Sequence, residues 1–290
     1  MTLRVVPLRG IERLEATTAV LQRARAADGV GGVWDAADVQ WWWRRPRPTD
    51  ELPLPVWFDN VGPAAAVGLT AWGTGWQPDA FAVPGVVDIG DVWFSSLDLA
   101  AAHAPSEQLE VLIREDDEVL VELAIQAGFQ ATEDRSGLTW MGADQRPLVS
   151  VPSDGFVVVD RSMRPDRPHP MIARNGDQVE ARLRQCSQYD PTLDLSVEAP
   201  DGTVAGYALF WLDPATGVGM LEPMRVEDVF QRRGLARAVL TAGLDRLATM
   251  GAQRLKVGFD SDAGRNLYLG AGFVETAAVR AFTTRPNSKP

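Results

Sequence analysis

At 290 residues the chain is too long for one typical compact core and suits two domains of roughly 145 residues each. Its 46% apolar and 23% charged residues exclude a disordered or collagen-like protein. No run nears the roughly 18 uninterrupted apolar residues of a membrane span, and Met1 to Gly10 has no apolar signal core, so a cytoplasmic protein without membrane association is expected.

The formal charge of −11 lies wholly in the first half. Residues 1–150 carry 11 basic and 22 acidic side chains, and residues 151–290 carry 17 of each. Such an acidic field disfavours nucleic acid and favours a cationic partner or amine substrate, while solubility alone also accounts for it. The single cysteine, Cys186, allows no intrachain disulfide and reads as a passive thiol. His103 and His169 are the only histidines, and no His/Cys spacing suits zinc, so no metal is expected. His169, within Arg-Pro-His-Pro, reads as a surface loop histidine with a secondary claim to catalysis.

In chain order, Leu3–Leu8 reads as a strand, Ile11–Ala27 as a helix and Asp35–Arg44 as a second, shorter helix. In that short helix Trp41, Trp42 and Trp43 are expected to pack, with Arg44, Arg45 and Arg47 over the rim. Strands are expected at Val56–Phe58, Ala65–Trp72 and Val86–Phe94, with the glycine runs at 29–32 and 68–75 as loops and turns. Ser95–Gln108 looks too short and irregular for a long helix. Nine of the ten tryptophans precede residue 141, giving this half a Trp-rich, acidic character suited to packing or to the acceptor side of a site.

Residues 111–129 align without a gap on 255–273, sharing Asp116/Asp260, Leu123/Leu267 and the tripeptide Ala-Gly-Phe. An offset of 144, near half the length, implies one fold used twice. Gly142 to Gly155 lacks sustained periodicity and holds the linker. The expected domains are therefore 1–145, a linker at 146–155, and 156–290.

In the second domain Phe156–Arg161 alternates like a strand and Gln178–Gln188 reads as a helix. Asp194–Glu198 and Val204–Leu212 read as strands joined by an Asp201-Gly202 turn, and Val218–Val226 follows after a turn at Asp213–Gly217. Arg232–Met250 is an amphipathic helix with an apolar stripe at Ala236, Leu240, Leu244 and Leu247, ended by Gly251. Strands at Arg254–Phe259 and Phe273–Ala281 bracket a short helix carrying Tyr268.

The junction Val226-Glu-Asp-Val-Phe-Gln-Arg-Arg-Gly-Leu-Ala-Arg237 joins a strand to a helix N-terminus, where unpartnered N–H groups and the macrodipole suit a phosphate. Gly234 permits close approach, Ala236 keeps the next turn small, and Gln231, Arg232 and Arg233 add polar or cationic groups. No G-x-S-x-G elbow or P-loop is present.

From about Phe156 to Arg285, this loop together with Leu267-Tyr268-x-x-x-Gly272-Phe273 resembles the GNAT N-acetyltransferases, whose signature is Gln/Arg-x-x-Gly-x-Gly/Ala. The resemblance implies two tandem α/β (α+β) domains, each a mixed, mostly antiparallel twisted sheet flanked by helices, with the first copy degenerate. It implies acetyl-CoA as cosubstrate, its pyrophosphate on the amides of Gln231, Arg232, Arg233, Gly234, Leu235 and Ala236. Its pantetheine arm would lie on the splayed strand at Met224, Arg225 and Val226. Tyr268 would protonate the departing thiolate, a role suited to a neutral phenol.

Glu222, before Pro223 on the strand entering the loop, is the chosen general base; a related tandem subgroup shares an acidic residue before Pro here. The bland reading is a carboxylate solvated or paired with Arg225. Two residues depart from the family pattern: Asp228 stands where Pro is common, and Ser261 where an Asn helps hold the cofactor. The implied reaction is direct acetyl transfer to an amine of a small molecule or peptide. A mycothiol synthase-like enzyme acting on an amino-sugar thiol is the alternative within the class, and a non-catalytic acyl-CoA sensor or scaffold the rival outside it.

Overall fold

The computed structural model describes residues 3–104, 107–152 and 155–284. Residues 105 and 106 of the 95–108 stretch, 153 and 154 of the expected linker, and 285–290 of the second domain lie outside the described residues. The chain divides into two compact units. One takes the described residues up to Val39, Pro46–Ser136 and those from Ala277; the other takes Gln40–Arg45 and Gly137–Thr276. No helix among the described residues is long and apolar enough to cross a membrane.

The first copy of the fold runs β1 (Arg4–Leu8), α1 (Gly10–Ala27), α2 (Ala36–Trp43), β2 (Leu54–Phe58), β3 (Pro63–Ala71), β4 (Trp76–Ala82), α3 (Ile89–His103), β5 (Glu110–Arg114), α4 (Glu118–Gln126) and β6 (Gln130–Gly142). The second runs β7 (Val157–Asp160), α5 (Ile172–Asn175), α6 (Val179–Leu183), β8 (Asp194–Glu198), β9 (Val204–Asp213), β10 (Val218–Val226), α7 (Leu235–Thr249), β11 (Arg254–Phe259), α8 (Asp262–Gly270) and β12 (Val274–Thr283). The order βααβββαβαβ is thus used twice. After α4 and α8 the repeated glycines Gly128 and Gly272 take φ of 84° and 104°, a left-handed backbone that glycine adopts without strain.

In the first unit β1, β2, β3 and β4 form an antiparallel sheet, and β5 pairs antiparallel with the end of β12. One expectation fails here. Val86–Phe94 is not a strand, and the first copy keeps its long helix: α3 has 15 residues, as α7 has. Asp88 starts α3 by accepting the Gly90 N–H at 2.8 Å, and Val92, Trp93, Ser96 and Ala100 form a buried helical stripe. Val86 and Val87 fall in the turn before α3, and within the helix its periodicity overrides the β propensity of Val92 and Trp93. The strand β4 adds to those expected. Gly68 lies inside β3 instead of a turn, because a Cβ there would meet the Phe81 ring at 2.8 Å.

In the second unit β7, β8, β9 and β10 are antiparallel neighbours, β10 pairs parallel with β11, and β11 pairs antiparallel with Gly137–Gly142 of β6. Helix α7 packs on this sheet through Leu235, Leu240, Leu244 and Leu247, each fully buried and worth roughly 1.5–3 kcal/mol. Gly243 lets it close on Phe210, whose ring would stand 2.1 Å from a Cβ at that position. At its end Ala252 N–H bonds the Leu247 carbonyl and Gly251 N–H the Ala248 carbonyl, so Gly251 is the expected left-handed stop.

The helix expected at 178–188 is shorter, because the chain after α6 bonds to residues 40–43 instead of continuing its own ladder. Trp43 Nε1 donates to Gln185 Oε1 at 2.8 Å, Gln40 Nε2 to Ser187 Oγ at 2.8 Å, and Gln188 N–H to Gln40 Oε1 at 2.9 Å. The tryptophans pack as expected: Trp41 and Trp43 are buried, with Arg44 stacked 3.7 Å over Trp41 and Arg182 stacked 3.4 Å over Trp43.

Candidate active site

Strand β10 ties to β11 only through Val218, Gly219 and Met220, which face Arg254, Leu255 and Lys256. Beyond Met220 both strands continue without pairing to each other, so the β10–β11 ladder stops there and the two strands splay. On its other edge β10 stays with β9 but breaks register between Leu221 and Met224, where the Glu222–Pro223 peptide is cis. Met224, Arg225 and Val226 resume the ladder against Ala208, Tyr207 and Gly206 and are half-buried.

The loop after β10 presents main-chain N–H groups at a helix N-terminus, a geometry suited to an anion. The first helical bond of α7 runs from Ala238 N–H to the Gly234 carbonyl at 3.0 Å, so the N–H groups of Leu235, Ala236 and Arg237 precede the ladder, and Gly234 supplies no side-chain cap. Gly234 has φ of 76°, and a Cβ there would meet nothing within 4 Å. Arg232 takes φ of 64°, a left-handed backbone costly for a side-chain-bearing residue, and such strain gathers at ligand sites. Alternating left-handed residues turn successive amides to one side, as in anion-binding nests.

Arg232 and Arg233 are exposed, and Arg233 lies 5.8 Å over the Phe230 ring. The Gln231 amide closes the loop on itself, donating to the Val226 carbonyl at 3.3 Å and to Asp228 Oδ1 at 3.0 Å. The counterpart in the first unit lacks this property. At the start of α3 the Asp88 carboxylate already occupies the Gly90 N–H, and Asp91 follows in the first turn, so like charge opposes an anion.

Tyr268 lies on α8, buried against the edge of Phe273 at 6.3 Å. Burial, then the carboxylates of Glu222 and Asp260, push its phenol well above its ordinary value, so it is a proton donor at neutral pH. That coupling brings Glu222 and Tyr268 into one electrostatic environment. Glu222 is half-buried, and Arg225 pairs instead with Glu227 at 3.4 Å and Asp228 at 3.5 Å. Ser261 caps α8, its Oγ accepting the Gly264 N–H at 3.3 Å, so its hydroxyl holds the helix that carries Tyr268.

His169 is not a surface histidine. It is buried, its Nδ1 accepting the Met171 N–H at 3.2 Å and its Nε2 donating to Asp194 Oδ2 at 2.8 Å. The Tyr189 hydroxyl donates to the same carboxylate oxygen at 2.9 Å. Cys186 is buried and its thiol is pushed up to about 12 by desolvation, which leaves it no nucleophilic role at neutral pH. Sequence reasoning missed Trp211, whose Nε1 donates to the Glu222 carbonyl at 2.7 Å. Its signal was present, since Trp211 stands in the strand of a hairpin that faces Glu222's own strand.

Residues 162–273 match the Acetyltransferase (GNAT) family profile. A mycothiol acetyltransferase of Kineococcus radiotolerans is 34% identical over 112 residues, which are 38% of this chain and 35% of that protein, so the match spans about a third of the curated relative. Two solved structures share the fold. A tandem GNAT protein from the clavulanic acid biosynthesis pathway has a TM-score of 0.68 at 16% identity, covering 99% of this chain and 100% of its own. A GCN5-related N-acetyltransferase from Sphaerobacter thermophilus has a TM-score of 0.60 at 16% identity, covering 99% and 98%. Residues 162–273 are thus similar to the GNAT acetyltransferase family over less than half of the chain, and over its length the chain has the fold seen in a tandem GNAT protein.

Proposed function

We propose that this chain is an N-acetyltransferase that moves the acetyl group of acetyl-CoA directly to an amine of a small molecule or peptide. One conjunction carries the reading: β10 parts from β11 after Met220 and leads within a few residues into an uncapped helix N-terminus, and its Glu222 shares an electrostatic environment with a buried phenol. Each part answers one portion of the cosubstrate. The amides from Arg232 to Arg237 suit the pyrophosphate, and the main chain of Met224–Val226 suits the amide-bearing pantetheine arm. Acetyl-CoA supplies the activated thioester.

In this reading the β10 main chain holds the thioester and polarises its carbonyl, so approximation and oriented amides provide much of the rate. The Glu222 carboxylate takes one proton from the substrate ammonium, directly or through water, freeing the amine lone pair that bonds to the thioester carbon; the second proton leaves the nitrogen to solvent as the tetrahedral intermediate collapses to the amide. The Tyr268 hydroxyl donates its proton to the sulfur as the C–S bond breaks, and the phenolate recovers a proton from solvent. No covalent enzyme intermediate is required.

A mycothiol synthase-like acceptor, an amino-sugar thiol, is favoured as second reading by the 34% identity to a mycothiol acetyltransferase. The test is release of CoA thiol from acetyl-CoA against amines, amino acids, aminoglycosides, peptide N-termini and an amino-sugar thiol. We expect turnover with at least one, lowered roughly 10²-fold or more by Tyr268→Phe with acetyl-CoA affinity retained. Tight acetyl-CoA binding with no release on any amine would favour a sensor, and wild-type turnover in Tyr268→Phe would remove the acid assignment.

A further inference from the structure

Across the register break of β10, two residues, Glu222 and Pro223, stand opposite the single Leu209 of β9. A bulge of this kind re-aims a side chain and leaves a main-chain group outside the ladder. Here the Glu222 carbonyl accepts from an indole, Trp211 Nε1, at 2.7 Å. Trp211 faces Met220 across the hairpin and is fully buried. Its hydrogen bond therefore joins a rigid core side chain to the main chain of the residue that carries the site's carboxylate.

The indole is itself braced. By strand alternation Leu195, Val197, Ala208 and Phe210 face α7, which puts Asp194, Ser196, Glu198 and Trp211 on the opposite side. The Tyr189 ring meets Trp211 edge-on at 6.5 Å and 61°. The Tyr189 hydroxyl is anchored on Asp194, which also receives His169, and His169 is fixed by the Met171 N–H. Asp194 and His169 are 1% and 2% exposed, so this polar line is dry and each bond in it is costly to break. It runs from the turn before α5 through β8 and β9 and ends on Glu222.

We propose that Trp211, held by Tyr189, Asp194 and His169, is a positioning residue that sets where the Glu222 carboxylate stands in the site. This rests on the reading of Glu222 as the proton acceptor. An alanine at 211 would remove a large core side chain and test only folding. The informative change replaces the indole N–H alone, by site-specific incorporation of the isosteric β-(3-benzothienyl)alanine, whose sulfur cannot donate; Trp211→Phe is the second variant.

With an acceptor from the release screen, the isostere should lower kcat by roughly tenfold or more while the KM for acetyl-CoA stays within about twofold. In a Glu222→Gln background it should cause no further loss, because the carboxylate it positions is gone. Equal losses in both backgrounds, or an unchanged kcat, would overturn the positioning role while leaving Glu222 as base. Unchanged turnover in Glu222→Gln alone would overturn the base assignment and the inference with it. A readout independent of acceptor comes from 3-fluorotyrosine labelling, since the chain has three tyrosines. The fluorine resonance of Tyr268 should follow the titration of Glu222, vanish as a titration in Glu222→Gln, and shift its midpoint in the isostere. An unmoved midpoint would also overturn the proposal.

Discussion

Substitution of Gly234 separates the proposed anion site from the fold that supports it. The residue has φ of 76°, and a Cβ added there meets no atom within 4 Å. Gly234→Ala should therefore cost only the left-handed backbone of a non-glycine residue, about 1–2 kcal/mol of stability. Gly234→Glu should cost a similar amount, since the side chain projects into open space. Its effect on acetyl-CoA should be much larger. A carboxylate roughly 5 Å from a pyrophosphate bearing about two charges is repelled by about 1.7 kcal/mol even at the dielectric constant of water, or roughly 20-fold in affinity, and about four times that energy at an effective dielectric of about 20. Displacement of the ligand by the side chain adds to this loss. Calorimetric titration with acetyl-CoA, paired with denaturant unfolding of both variants, provides the measurement. A folded Gly234→Glu protein with wild-type affinity would show that the uncapped start of α7 does not bind the cosubstrate.

Asp79, buried in the first unit with Gln77 and Trp34 donating to its carboxylate, is pushed up to about 7, chiefly by desolvation. Because its folded value lies above its unfolded one, its contribution to stability is full below about pH 4 and declines as pH rises to about 7. Asp79→Asn should remove that decline, worth about 4 kcal/mol at most, so unfolding free energies at pH 4.5 and 7.5 should converge relative to wild type; parallel profiles would refute the assignment. Cys186 should resist a thiol reagent at pH 8 in the native protein, with a thiolate fraction of about 10⁻⁴, and react on unfolding; rapid native labelling would contradict its burial.

Much of the second unit is legible from its sequence because local chemistry and tertiary packing agree there. Asp194–Glu198, Val218–Val226 and Arg254–Phe259 form as read, and Gly251 ends α7 because glycine takes the left-handed stop without strain. The repeated Ala-Gly-Phe likewise follows equivalent helices in both halves. The sequence was ambiguous where propensity and period conflict. Val86–Phe94 is rich in β formers, yet its buried positions recur at helical spacing once Asp88 caps the turn. It was silent where partners are distant in the chain. The helix after Gln178 is cut short by bonds to Gln40 and Trp43, and His169 is buried by Asp194. The end of β6 joins the second unit and the end of β12 the first. The strand-to-helix junction at Gln231–Ala236 was legible from sequence because its geometry is local, one helix terminus and one glycine. The standing of Glu222 is set by a hydrogen bond from a neighbouring strand and a phenol on another helix, groups that only the folded chain brings together.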